Sequence, residues 1–297
     1  MTTSITISLT RFAEPNWLVR DAIDSLARQA KVRAEILFLD QQDDAEMRAR
    51  CSELSTAELQ FHYIVIPARN LSYARNRAIE LSASEIILYI DSDAIADPLW
   101  AHSLSQTLGR SGVGVAGGRI LPKWLKPPLF IARSRMVLGS YSMLDLGDGE
   151  QSGARLYGAS FGIHRERLGP DAYFSEKLGR RPDGGLLGGE EIDLCIRVAA
   201  KGLGVIYNGS AVVQHQVLSE RISYRWLMRR FYFSGIEKAL TDATMAPSVR
   251  GRSLIDFFAY ALTFPATVMG YWYGRRMRVS ASSSESESAE ARTGNSN

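Results

Sequence analysis

Two aspartates separated by one serine follow an apolar run in EIILYIDSDAIADP, residues 85–98. The run predicts a buried strand, so Asp91 and Asp93 stand where that strand ends. Two carboxylates this close can bind one divalent cation, one directly and the other through water or a sugar hydroxyl. Oxygen ligands of this kind suit Mg²⁺ or Mn²⁺. The alternative is a solvated turn, because Asp and Ser favour turns after strands.

A second group of acids lies in GGEEIDLCIR, residues 188–197. Glu190, Glu191 and Asp193 open a predicted helix that closes near Gly202. A carboxylate in such a place can accept a proton from a hydroxyl nucleophile. Acids in a first helical turn are also what the helix dipole alone would favour, and that reading stays open.

The elements that would position these acids alternate along the first part of the chain. Apolar runs predict strands and amphipathic stretches predict helices, which together indicate βαβ units and a mostly parallel sheet. The predicted strands cover residues 5–10, 35–40, 59–66 and 85–90, and the predicted helices cover residues 16–29 and 71–83. Ligands bind beyond the carboxyl ends of strands in such sheets, so Thr10, Asp40 and Asp91 are expected to share one rim.

From residue 112 onward the strands and helices no longer alternate regularly. A strand with a glycine turn is expected over residues 112–120, and an irregular, mobile loop over residues 123–153. A further strand leading into a turn or short helix is expected within residues 156–168. A last strand, ending near His215, should follow the helix that begins at the paired glutamates.

Composition excludes several classes of protein. The net charge of the 297 residues is +3, which predicts no nucleic-acid partner. Cys51 and Cys195 are far apart and lack the spacing of a zinc site, which favours a reducing compartment. The first residues lack the basic and apolar regions of a signal peptide, so the protein is expected in the cytoplasm or at the cytosolic face of a membrane.

The C-terminal part is basic and aromatic. Residues 219–278 contain many arginines, including Arg221 and Arg230, and residues 254–274 are about long enough to cross a bilayer. Asp256 and Pro265 interrupt that apolar stretch, so a helix that spans the membrane, one that lies on it and one that packs on the catalytic domain all stay open. The chain is therefore divided into a catalytic domain, residues 1–218, a helical extension, residues 219–278, and a disordered polar tail, residues 279–297.

Five segments in order resemble the family 2 glycosyltransferases, which have the GT-A fold. They are FLDQQDD at 38–44, NLSYARN at 70–76, DSD at 91–93, GEEIDLCIR at 189–197 and AVVQH at 211–215. The resemblance covers roughly residues 4–217 and implies an α/β, Rossmann-like mixed sheet flanked by helices. Gln41 and Gln42 depart from the family's usual second acid and small residues, which leaves the nucleotide open.

The resemblance implies an inverting transfer of sugar from a nucleoside diphosphate sugar to a hydroxyl of a glycan or lipid-linked acceptor. It assigns Mg²⁺ or Mn²⁺ to Asp91, Asp93 and His215, and the catalytic base to Glu191, which stands where the family more often has aspartate. It assigns donor binding to Thr10, Asp40, Arg75 and Asp91, and acceptor binding to Glu190 and Asp193.

Two other functions are weighed against transfer. A sugar-phosphate nucleotidyltransferase usually has a glycine-rich loop after its first strand, whereas this chain reads TRFAEPNW at residues 10–17. A catalytically silent glycan- or membrane-binding scaffold would not need the acids. A dinucleotide oxidoreductase is excluded, because no GxGxxG follows the first strand.

Overall fold

A computed structural model describes residues 4–153, 155–182, 185–241 and 253–293, with side chains in the last range as far as residue 278. It contains a nine-stranded mixed sheet flanked by helices. The strands are β1 Ser4–Arg11, β2 Arg33–Asp40, β3 Leu59–Val65, β4 Ile86–Asp91, β5 Ala94–Ala96, β6 Val113–Trp124, β7 Glu150–Ser152, β8 Phe161–His164 and β9 Gly204–Val217. The α-helices are α1 Asn16–Leu26, α2 Ala45–Leu54, α3 Leu71–Leu81, α4 Trp100–Gly109, α5 Arg135–Ser140, α6 Arg165–Leu168, α7 Glu190–Ala200, α8 Tyr224–Leu240 and α9 Leu254–Thr293.

The first half of the sheet is parallel, in the order β3-β2-β1-β4. Strands β1, β2 and β4 are mostly buried, as expected for a sheet that helices cover on both faces. The edge strand β3 exposes Gln60, His62 and Val65. The register places Thr10 beside Asp91, and Arg11 beside Asp40. The predicted rim of strand ends therefore forms. Helices α2 and α4 were not predicted.

The second half of the sheet reverses direction. Strand β8 runs antiparallel to both β4 and β6, and the long strands β6 and β9 pair in parallel. Three-residue β5 follows the two aspartates directly and pairs antiparallel with the end of β9, which sets Ala94 opposite His215. This pairing brings the turn after β4 next to a strand that is more than a hundred residues away in sequence.

The segment from Phe174 to Arg180 is fixed along helix α3. Asn76 donates to the Phe174 carbonyl and accepts from the Phe174 amide, at 3.0 and 2.8 Å. Ser72 donates to the Leu178 carbonyl, and the Leu71 amide donates to the Arg180 carbonyl. These contacts carry Arg180 to the N-terminal end of α3, close to the rim.

The expected mobile loop over residues 123–153 is largely structured. It begins with the end of β6 and contains a 3₁₀ turn, Phe130–Arg133, helix α5 and strand β7. Helix α5 is only six residues long, but it packs against both α8 and α9. The prediction of an irregular loop is wrong over these elements, because long-range packing stabilises short pieces that have no strong local pattern.

The described parts of the C-terminal extension are mainly helical, as expected. Helix α9 is the one described helix that is long and apolar enough, over Leu254–Arg278, to cross a membrane by length and composition. The helix then continues to Thr293, where a disordered tail was expected from residue 279. Extending an existing helix adds one hydrogen bond per residue without a new nucleus, and alanine and glutamate in this tail favour helix. Residues 294–297 lie outside the described part.

The replacement Asn76→Ala is expected to lower the free energy of unfolding by about 2 kcal/mol or more, because it leaves the buried Phe174 amide and carbonyl without partners. Urea unfolding should show a lower midpoint at an unchanged slope. The control is Arg77→Ala on the same helix, whose side chain is in a surface pair with Glu80 and should change stability by about 0.5 kcal/mol or less. Equal effects of the two replacements would contradict this account.

Candidate active site

The site is organised around the guanidinium of Arg75, which is buried in helix α3. Its Nη1 donates to Glu190 Oε1 at 2.9 Å and to Glu191 Oε1 at 2.8 Å. Its Nη2 donates to Asp91 Oδ1 at 3.1 Å. The three carboxylates raise the pKa of Arg75 despite the opposing effect of burial. One cation therefore joins the end of β4 to the start of α7.

The two glutamates differ in exposure. The Glu190 side chain is 2% exposed and that of Glu191 is 13% exposed. Burial and the neighbouring Glu191 carboxylate raise the pKa of Glu190 to about 8, against the effect of Arg75. Its second oxygen, Oε2, is buried without a hydrogen-bond partner. Glu190 is thus held inside the protein, while Glu191 reaches the surface of the site.

A second cluster lies on the other side of Asp91. Asp93 Oδ1 is 3.0 Å from His215 Nε2, and Asp93 Oδ2 accepts from Arg221 at 2.9 Å. His215 Nδ1 donates to the Tyr141 carbonyl at 2.9 Å. Burial alone would raise the pKa of Asp93, but His215 and Arg221 lower it well below its usual range. Burial raises the pKa of Asp91, and the nearby Asp93 charge adds to that effect.

Asp91, Asp93 and His215 fit a divalent cation. One ligand atom from each can be chosen so that the three atoms lie within 4.8 Å of one another. The Tyr141 carbonyl fixes the histidine ring and leaves Nε2 facing the aspartates, which is how metal-binding histidines are usually oriented. Two carboxylates this close also repel each other, and a cation between them would relieve that repulsion.

Thr10 and Asp40 occupy the neighbouring strand ends. Thr10 is 7% exposed and pairs in register with Asp91. Asp40 is fully buried, and it accepts hydrogen bonds from Arg11, from the Tyr63 hydroxyl and from the Gln42 amide. Burial raises the pKa of Asp40, against these three partners. Asp40 is therefore a buried acceptor that holds together the strand ends and loops at this part of the rim.

Asp193 is not brought into this group. Its carboxylate accepts from Arg197 one helical turn later, at 3.0 Å. Arg197 in turn donates to the carbonyls of Asp171 and Tyr173. The structure therefore places Asp193 in a contact between α7 and the preceding turn.

The model of Glycosyl transferase family 2 matches residues 13–165, which is more than half of the chain. The chain belongs to this family. The resemblance noted from the five sequence segments is confirmed.

Two curated relatives extend the comparison. The chain is 29% identical over 178 residues to a glucosyl-dolichyl phosphate glucuronosyltransferase of Haloferax volcanii, which covers 59% of the chain and 56% of that protein. It is 24% identical over 213 residues to the succinoglycan biosynthesis protein ExoM of Rhizobium meliloti, which covers 68% of the chain and 64% of that protein. The matches thus span less than two thirds of either relative.

Solved structures establish the fold. A mannosyltransferase from Pyrobaculum calidifontis, in complex with GDP-Man and Mn²⁺, superposes with a TM-score of 0.59 at 15% identity, covering 99% of this chain and 80% of that chain. GalNAc-T7 with UDP, GalNAc and Mn²⁺ superposes with a TM-score of 0.57 at 12% identity, and the superposition covers 88% of this chain and 54% of that chain. The predicted GT-A fold, a mixed α/β sheet flanked by helices, is confirmed.

Three residues that contact or lie near Asp93 and His215 were not singled out from the sequence. Arg221 was counted among the basic residues of the extension, but it binds Asp93. Arg180 lies near both aspartates and near Arg221, and burial together with Arg221 lowers its pKa. Tyr141 fixes His215 from the loop expected to be mobile. Arg221 stands only six residues after His215 in the sequence. That proximity was the one signal that could have placed it near Asp93.

Gly158 lies directly against the central ion pairs. A Cβ at this position would overlap both Arg75 Nη2 and Glu191 Oε1. The glycine therefore allows the 3₁₀ turn Gly158–Ser160 to lie directly against the two side chains. Any larger residue would displace the guanidinium or the carboxylate.

The replacement Gly158→Ala is expected to lower kcat of glycosyl transfer on the order of 100-fold, because small displacements of reacting groups have effects of that size. Initial rates at varied donor concentration would measure it. The control is Gly149→Ala, where an added Cβ meets open space and kcat should stay within twofold. An active Gly158→Ala enzyme would show that the contact does not position Glu191.

The replacement Glu190→Gln should alter the pH dependence of stability. The folded protein retains the Glu190 proton up to a pKa of about 8, whereas the ordinary value is 4.5. Unfolding in this window releases a proton, so the stability of the native protein falls as pH rises from 4.5 to about 8. The variant has no such proton, and its Tm should fall less over the same range in chelator-treated samples. Parallel Tm curves would contradict the assignment.

Proposed function

We propose that the protein transfers a sugar from a nucleoside diphosphate sugar to a hydroxyl of a glycan or lipid-linked acceptor, with inversion at the anomeric carbon. One observation carries this proposal. Arg75 joins Glu191 to Asp91, so a carboxylate base and a cation site lie on either side of one guanidinium. A base facing the sugar opposite the leaving group leads to direct displacement, which inverts the anomeric carbon.

Asp91, Asp93 and His215 would hold Mg²⁺ or Mn²⁺, and the cation would neutralise the charge that grows on the departing diphosphate. The imidazole in this set favours Mn²⁺, because Mg²⁺ prefers ligands that are all oxygen. The Mn²⁺ in both neighbouring structures supports the same choice for this chain.

Glu191 is the residue that we assign as the general base. It is more exposed than Glu190, and Arg75 holds its Oε1 in place. Its Oε2 would accept the proton of the acceptor hydroxyl as that oxygen attacks. Glu190 would position Arg75 from inside the protein, which replaces the acceptor-binding role that the sequence suggested. The pairing of Asp193 with Arg197 likewise favours a structural role.

Donor binding would use the rim of strand ends. Thr10 and the loop anchored by Asp40 would contact the nucleoside, while Asp91 would reach the diphosphate through the bound cation. Arg180 and Arg221 would pair with the diphosphate, because two guanidinium groups near each other favour an anion between them. The neighbouring structures contain GDP-Man in one case and UDP in the other, and these are a donor and a product of the class that we propose here.

The acceptor would be a glycan or a lipid-linked saccharide at the cytosolic face of a membrane. The name of the Haloferax volcanii relative includes glucosyl-dolichyl phosphate, a lipid-linked sugar, and the other relative takes part in polysaccharide biosynthesis. The apolar helix α9 is in keeping with such a location. We propose membrane contact through residues 219–278 on these grounds.

Metal dependence is tested with Asp93→Asn. Native protein should bind Mn²⁺ in an electron paramagnetic resonance titration and should hydrolyse nucleotide sugars only when Mn²⁺ or Mg²⁺ is present. The variant should lose Mn²⁺ affinity by at least tenfold, and EDTA should abolish hydrolysis by the native protein. Turnover that persists in EDTA would overturn the metal assignment, and no turnover with any donor would favour the silent scaffold.

The base is tested with Glu191→Gln, which preserves size and hydrogen bonding to Arg75. Loss of a general base reduces kcat by about 100-fold or more, with little change in Mn²⁺ binding. The control is Glu80→Gln, a surface carboxylate on helix α3, which should keep native rates. If Glu191→Gln transfers sugar at the native rate, another group is the base.

A further inference from the structure

The outer side of helix α9 is an unusual surface for a protein in water. Its large apolar side chains point away from the rest of the structure, and the chain has no charged residue between Asp256 and Arg275. The most exposed of them are Leu254 at 78%, Met269 at 66%, Phe257 and Trp272 at 64% and Phe258 at 61%. We call these five residues, together with Tyr260, Leu262, Phe264 and Tyr273, the outer face of α9.

The inner side of α9 has the opposite character. Its buried positions are the small residues Ala259, Thr263, Thr267, Gly270 and Gly274. A Cβ at Gly270 would overlap the Tyr232 carbonyl of α8, so the two helices approach closely. An ordinary surface helix buries its large apolar residues and exposes charged ones. Helix α9 instead exposes its large apolar residues and buries small ones.

From this inverted pattern we infer that the outer face of α9 docks in the plane of a membrane surface, with its aromatic side chains among the lipid acyl chains. Helices that lie in the interface present Trp, Phe and Leu to the lipid and basic residues to the headgroups.

The contacts that α9 makes with the rest of the protein argue against a helix that spans the bilayer. At its start Ser134 donates to Asp256 at 2.7 Å, and near its end Arg278 donates to the Ala239 carbonyl. Between these points α9 packs along α8, which contains the buried pair Arg230 and Glu237. Crossing the bilayer would take these ionised groups of α8 into hydrocarbon together with α9, at a high cost.

The width of the outer face favours lipid over a second copy of the chain. At about 100° per residue, the outer residues spread over roughly 200° of the helix circumference. A partner helix covers only a narrow stripe of its neighbour, and much of this convex face would stay in water. A fluid layer of acyl chains can cover all of it.

The docked surface would stand at a fixed place relative to the active site. Ser134, at the start of α5, binds Asp256 of α9, and Tyr141, at the end of the same short helix, binds His215. If the acceptor is lipid-linked, which rests on the proposed function, α5 fixes the distance between its membrane and the cleft. The docking surface itself does not depend on the chemistry of the cleft.

The inference is tested by sedimenting the full chain with vesicles of phosphatidylcholine and phosphatidylglycerol. Native protein should pellet with them, and the double variant Phe258→Glu/Trp272→Glu should bind at least tenfold more weakly. The control variant, Trp17→Glu/Leu81→Glu, changes two exposed apolar residues elsewhere by the same charge and should bind like the native protein. All three should hydrolyse a nucleotide sugar equally in solution with Mn²⁺, so a failure of docking is separable from a failure of the proposed function.

Equal vesicle binding by the native protein and the α9 variant would overturn the inference. So would a native dimer in sedimentation velocity that does not bind vesicles and that the α9 variant dissociates, because a second copy would then cover the face.

Orientation is tested with Leu254→Cys and Arg275→Cys, placed at either end of the apolar stretch, in a chain whose own two cysteines are buried. In-plane docking at the cytosolic face predicts that a membrane-impermeant maleimide labels neither site in intact spheroplasts. After lysis it should label Arg275→Cys, and it should label Leu254→Cys, which lies in the lipid, once detergent is added. Labelling of one site alone in intact cells would show a spanning helix and overturn the in-plane arrangement.

Discussion

A single buried guanidinium determines how the two halves of the active site stand to each other. Arg75 touches carboxylates from β4 and α7, and it lies on α3, which belongs to neither. Its planar fork fixes directions as well as charge, which an ammonium group could not do. Burial of a cation is tolerated here because three acids surround it, and those acids remain together only because the cation is present.

The sheet provides the second constraint. Parallel strands β1, β2 and β4 bring polar side chains to one rim, but a parallel sheet alone would leave Asp93 without a partner. The reversal at β8 and the pairing of β5 with β9 bring His215 to that rim. Arg221 follows a few residues later and binds the same aspartate. The proposed cation site would therefore be assembled from a local turn and a distant strand end.

Local patterns in the sequence were sufficient to predict the rim of parallel strand ends. They were insufficient to predict the partners that reach Asp93 from distant parts of the chain. Apolar runs and helical spacing predicted the strands and helices around Thr10, Asp40 and Asp91, because each depends on neighbours in sequence. His215 was placed only by resemblance. Arg221 was assigned to a basic surface, because composition cannot tell an exposed arginine from one that binds Asp93. Gly158 carries no local signal, since its role depends on side chains from α3 and α7.

Charge balance in the cleft connects these residues to the chemistry. Arg75 is matched by acids, and Asp93 is matched by His215 and Arg221. Arg180 differs, because burial and the charge of Arg221 both lower its pKa, more than the two aspartates compensate. Two guanidinium groups whose charges repel each other are stabilised by an anion between them. The acids on the opposite side repel the same anion unless a cation binds to them. These charges support the proposal that the site binds an anion together with a divalent cation, as a nucleoside diphosphate donor with its metal would require.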